Sequence, residues 1–184
     1  MTFDDSDIKI MPDDPSEVFD MSEGAANAFV RETNNGNMEK AKKLGAQFAA
    51  GLIDPNCVCV FGVGELDTVN TISQRKVLFA YVVNQVIEEM APNSIVAQSA
   101  LSSFYDAVQQ QDAKTYELIN DSAAFTMYIL QARLVPNDGQ GMGEVFAKLC
   151  GQEGQRLYIN YGKELYNYFT ITCTEQVLAA DMIR

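Results

Sequence analysis

Thr71-Ile-Ser-Gln-Arg-Lys-Val77-Leu-Phe-Ala-Tyr-Val-Val83-Asn-Gln-Val-Ile-Glu-Glu-Met90 decides the architecture. Thr71 and Gln74 have the spacing of a capping box, so a helix is predicted over 71–91. From Val77 to Met90 it is apolar on nearly every side, and a helix of that kind is one its neighbours enclose. Pro92 closes it. Its longest unbroken apolar run, Val77 to Val83, is seven residues. A membrane-spanning helix needs about 20, so the segment reads as the central helix of a water-facing domain.

Helical spacing continues on both sides. Downstream, Asn93 caps a stripe made of Ile95, Ala97, Ala100, Leu101, Phe104 and Val108. Upstream, Ala41, Leu44, Phe48 and Leu52 form the inner face of a helix from about Met38, with Lys40, Lys42 and Lys43 outward. Asp54-Pro55-Asn56 stops it. A helix before that begins at Asp14 and Pro15, with Glu17 reaching back, and ends at Asn34-Asn35-Gly36. Further on, a short helix is expected near 114–119, and another capped by Asp121 or Ser122 with Phe125, Tyr128, Ile129 and Ala132 on one face. Pro136-Asn137-Asp138-Gly139 is a turn. A helix over 142–150 ends at Gly151, one follows over 155–169, and Thr172 with Glu175 caps a terminal helix to Met182. Cys57-Val-Cys-Val-Phe-Gly-Val-Gly64 fits either an extended segment or an apolar connector. The expectation is an all-α, compact bundle of seven or eight helices around 71–91, with no strand–helix alternation.

The 184 residues suit one domain, here 14–184, behind an acidic flexible tail over 1–13. The net charge of −12 is uneven. Residues 1–23 hold eight acidic side chains against Lys9, which is −7, and leave −5 for the remainder. Such a surface repels phosphate backbones, so no nucleic-acid partner is expected. The acidic start lacks a signal peptide's basic and apolar regions. The four cysteines, Cys57, Cys59, Cys150 and Cys173, are too sparse for a disulfide framework and read as reduced thiols. A cytoplasmic protein with no membrane association follows.

There is no histidine. Serine and cysteine nucleophiles therefore lack their usual base, and zinc or di-iron sites lack their usual nitrogen ligand. Cys57 and Cys59 would face the same way in a strand and could ligate a soft metal. Filling four positions would need Cys150 and Cys173 to converge on them, so the simpler reading is small core residues. Gly62-Val-Gly64-Glu-Leu-Asp67 begins like a dinucleotide fingerprint, but Asp67 stands where the third glycine belongs and would repel a pyrophosphate. Glu88 and Glu89 diverge by about 100° on a helix and make no catalytic pair. Asp5 and Asp7 lack the glycine and glutamate of a calcium loop. No catalytic residues and no cofactor are assigned.

The best ligand or interface candidates are Arg156, Tyr158, Tyr161, Lys163 and Tyr166. Tyrosine joins a rigid apolar body to a polar tip, and Tyr with Arg is enriched at protein interfaces. On a helical wheel Leu157, Tyr161, Leu165 and Tyr168 group together as a core face, which leaves Tyr166 for the surface. The expected function is a non-enzymatic helical interaction or regulatory protein acting as a homo-oligomer, or binding a protein partner. The alternative is a small-ligand binder or enzyme with a Tyr/Lys-lined pocket between helices.

Overall fold

The computed structural model describes residues 15–58, 64–120 and 123–183, with side chains from Gly24 onward. Among these residues there are eight α-helices, a 3₁₀ turn at Gly64–Leu66 and no strand. The helices are α1 (Pro15–Asn34), α2 (Asn37–Ile53), α3 (Val69–Met90), α4 (Ser94–Gln111), α5 (Ala113–Asn120), α6 (Ala123–Leu134), α7 (Gly139–Leu149) and α8 (Arg156–Ala179). The all-α bundle read from the sequence is the observed architecture.

α3 is its centre. Every side chain from Val77 to Val83 is buried, and α3 touches α2, α4, α5, α6, α7 and α8. Its start lies earlier than the sequence indicates. Thr68 is the N-cap and accepts from the Thr71 amide at 3.1 Å, so Thr71 sits inside the first turn. A threonine three residues upstream satisfies the same orphan amides, and Val69 and Asn70 add to the helix. Asn93 caps α4 as expected, accepting from Ile95 and Val96 at 3.1 Å each. Asp112 caps α5 through the Thr115 amide.

Two closures are tight enough to need glycine. A Cβ on Gly45 of α2 would overlap the Ala100 carbonyl oxygen and the Phe104 nitrogen of α4. In α7, a Cβ on Gly143 would overlap the Ile159 carbonyl oxygen of α8, and one on Gly162 of α8 would press into Phe146. These contacts bring α2 against α4 and α7 against α8 at backbone distance. α7 starts at Gly139, before the expected 142, because Asp138 caps it through the Gln140 amide at 3.0 Å and Asn137 turns the chain with φ 57°.

α8 corrects the sequence reading most. Residues 155–169 and 172–182 were expected as two helices, yet Arg156–Ala179 is one. Thr172 caps nothing. Thr170 sends its hydroxyl back to the Tyr166 carbonyl at 2.8 Å, a bond that lets threonine sit within a helix. Cys173 and Val177 extend the buried stripe of Tyr161, Leu165 and Phe169 across the supposed break.

Four expectations fall outside the described residues: the flexible tail over 1–13, the Asp14 cap, the Asp121 or Ser122 cap, and the form of 59–63 together with Cys59. The described residues bordering that segment are the buried Val58, which follows a turn at Cys57, and Gly64, which opens a 3₁₀ turn. No described helix is long and apolar enough to cross a membrane.

Candidate functional site

The five candidates from the sequence do not converge. Arg156 and Lys163 are exposed, and Tyr158 is half-buried. Tyr161 points inward and accepts a hydrogen bond from Arg75 Nη1 of α3 at 2.9 Å. Tyr166, expected at the surface, is buried and donates to Gln85 Oε1 at 3.2 Å. None of the five lines any of three cavities, of about 310, 470 and 650 Å³, formed by the described residues.

What α8 shows to solvent is a different set. Leu157, Ile171 and Leu178 are 63%, 60% and 61% exposed, with Tyr168 beside them at 49%. On a helix turning about 100° per residue these four fall within an arc of about 80°. Tyr161, Leu165, Phe169 and Cys173 fill the neighbouring arc and are buried. Leu157 and Tyr168, grouped with the core by the wheel, therefore stand outside it. A helix break near 170 would set Ile171 and Leu178 apart from Leu157 and Tyr168, which hides the second apolar stripe in the sequence.

Leu134, the last residue of α6, and Val135 after it are also exposed. The turn after them reaches α8, where the space beside Gly139 is bounded by Asn167 Oδ1 and Lys163 Cγ. That flank adjoins the exposed arc and is polar. On the other flank, Tyr168, Thr172 and Gln176 border the cavity of about 310 Å³, whose remaining wall includes Phe48, Gly51, Phe79 and Phe169. Phe79 meets Phe169 edge-on at 5.2 Å and Phe48 at 6.5 Å. Gln47, Asn56, Thr172 and Gln176 make its polar rim, and among the described residues no carboxylate or amine lines it.

Beneath the stripe lies a polar cluster that sequence reasoning missed. Arg75 is fully buried in α3, paired with Asp67 and set 5.9 Å from the centre of the Tyr161 ring. A guanidinium stays in such a place only when paired and hydrogen-bonded. Burial pushes the Tyr161 hydroxyl up to about 12, although Arg75 pulls the other way. Burial likewise raises the thiols of Cys150 to about 11 and Cys173 to about 12, so both stay protonated near neutrality. Cys57 is exposed. Among the described residues no three His, Cys, Asp or Glu side chains gather closely enough to hold a metal ion.

Compared with protein-family models, with curated proteins and with solved structures, the chain matches none.

Proposed function

We propose that the chain is a non-enzymatic helical interaction protein that works as a homo-oligomer in the cytoplasm, without a nucleic-acid partner. The observation carrying this reading is the set of exposed apolar side chains Leu157, Tyr168, Ile171 and Leu178 on one side of α8. Single apolar residues at a surface are ordinary, but four large ones sharing one arc of a long helix with Asn160, Glu164 and Glu175 suit a mixed apolar and polar contact surface. The two buried thiols, held protonated, offer no nucleophile that would favour an enzyme instead. Size-exclusion chromatography with light scattering tests the reading. A particle near twice the 20.3 kDa chain mass is expected, and a strict monomer at millimolar concentration counts against it.

A small-ligand reading has its own observation, the Phe48–Phe79–Phe169 cavity. Its volume lies at the lower end of known ligand sites, and its uncharged rim suits a neutral apolar ring. Gly51→Leu would project into this space. Saturation-transfer NMR with indole should show binding to the parent chain and none to that variant.

A further inference from the structure

A cavity of about 470 Å³ opens where α4, α5 and α6 meet, and none of the described residues of α8 lines it. Small-ligand sites run from about 300 to about 1,000 Å³. Three of its walls are aromatic, one from each helix: Tyr105 of α4, Tyr116 of α5 and Phe125 of α6. Tyr105 and Tyr116 form a corner, their rings at 80° with centres 6.5 Å apart. The central helix fixes two of the rings. Asn84 of α3 donates to the Tyr105 hydroxyl oxygen at 2.6 Å, and Tyr81 of α3 meets Phe125 edge-on at 5.8 Å. On α4, Leu101 and Ser102 stand one turn before Tyr105 and Asp106, so all four share one face.

Charge selects what suits this space. Asp106 places a carboxylate on the wall, and among the described residues no lysine or arginine lines it. Asp106 is exposed and has no ion-pair partner among those residues. Lys76 reaches Thr115 of α5 at 2.8 Å but is paired with Asp112 at 3.4 Å. Lys114 stands two residues before Tyr116, about 200° away around the helix. Burial raises the Tyr105 pKa against the pull of Asn84, and Glu88 adds to the rise, so the hydroxyl stays neutral. The face of an aromatic ring is negative and attracts a cation within about 6 Å of its centre. One cation in the corner is therefore in reach of both tyrosines. A primary ammonium needs an acceptor for each N–H, and ring faces with Leu101 supply no lone pairs. A fully methylated ammonium has no N–H and buries its methyl groups on the same rings.

We propose that this cavity holds a small methylated ammonium cation, its head against Tyr105, Tyr116 and Phe125 and Asp106 as its counter-charge. The site is separate from the self-association proposed above and needs no second copy. Ser102 and Asp106 are exposed, so the ligand enters without the bundle parting and leaves as readily.

Two-dimensional amide NMR of the full chain, titrated with choline, tests this. The expected result is a saturable shift of the amides around Leu101–Asp106, Tyr116 and Phe125. Two control ligands separate the parts of the claim. The neutral isostere of choline, with carbon in place of nitrogen, keeps the shape and loses the charge. Ethanolamine keeps the charge and loses the methyl groups. Each should bind at least about tenfold more weakly than choline. Ser102→Lys sets a competing ammonium at the cavity and should abolish binding, and Asp106→Asn should weaken it about threefold to tenfold. Both positions are exposed, so circular-dichroism melting should show the fold retained. No saturable shift, shifts centred on the Phe48–Phe79–Phe169 cavity, or equal binding of the neutral isostere overturns the proposal. Ethanolamine binding as tightly as choline, or choline binding unchanged in both variants, overturns it as well.

Discussion

Tyr128 carries a hydroxyl that is completely buried and has no hydrogen-bond partner among the described residues. A buried polar group left unpaired costs about 1–3 kcal/mol. Tyr128→Phe removes the group and keeps the ring, which sits 5.5 Å from that of Tyr81. The variant should be more stable by about 1 kcal/mol, raising the melting temperature by about 2–4 °C. Calorimetry checks this, and a lowered melting temperature would mean that an internal water satisfies the hydroxyl. Glu32 shows the opposite situation. Asn35 and Asn37 donate to its carboxylate at 3.0 and 2.7 Å and, with Arg31, hold its pKa down to about 2. In the unfolded chain a glutamate titrates near 4.3. The stabilisation is thus complete above that value and disappears as pH falls from about 4.3 to about 2. Urea midpoints measured through this window should drop more steeply for the parent than for Glu32→Gln. Few of these environments were legible in the sequence. Tyr166 and Tyr168 exchange their expected places because α8 is apolar over much of its circumference, and periodicity alone does not say which arc meets the bundle. Arg75 gave no signal at all, since its burial depends on Asp67 and Tyr161 arriving from other elements.

Elements were easier to read than their limits. Where a stop residue is unique, as at Asp54-Pro55 or Gly151, structure and sequence agree. Where several candidate caps stand close together, as Thr68 and Thr71 do, the local rule fits both, and the turn preceding the helix makes the choice. Thr172 and Glu175 fit a capping box, a pattern that also occurs inside helices such as α8 whose buried stripe runs on. How elements approach one another was not legible, because a glycine in a helix looks like a weakness until its neighbour is known. Gly45 shows the difference. Alanine there would collide with main-chain atoms of α4, which cannot rotate away. We expect Gly45→Ala to destabilise by about 2 kcal/mol. Gly24→Ala in α1, where nothing lies within 4 Å, should instead gain up to about 1 kcal/mol from helix propensity. Chemical denaturation of the two variants measures the contrast, and equal effects would contradict the close α2–α4 approach.

For the molecule as a whole, class and centre follow from Val77–Val83, while the outward face of α8 does not, because burial is a property of the finished bundle. Net charge acts at this scale too. Two copies at −12 each repel, and an apolar contact offers no opposing attraction between charges. Raising salt from about 50 to about 500 mM shortens the screening length from about 14 to about 4 Å. Dimerisation should therefore strengthen by about threefold to tenfold, as read by sedimentation. Weakening with salt would point to an interface built from complementary charges.

The glycine contacts also determine how the bundle yields. At Gly45, and again at Gly143, main chain touches main chain, and such a junction has no rotamers through which to slip. α3 meets α8 through side chains, in the pairs Arg75–Tyr161, Phe79–Phe169 and Gln85–Tyr166. The α2–α4 and α7–α8 pairs should therefore part last, and the side-chain layer around α3 should yield first. Amide exchange that opened α2 from α4 before α3 from α8 would contradict this order.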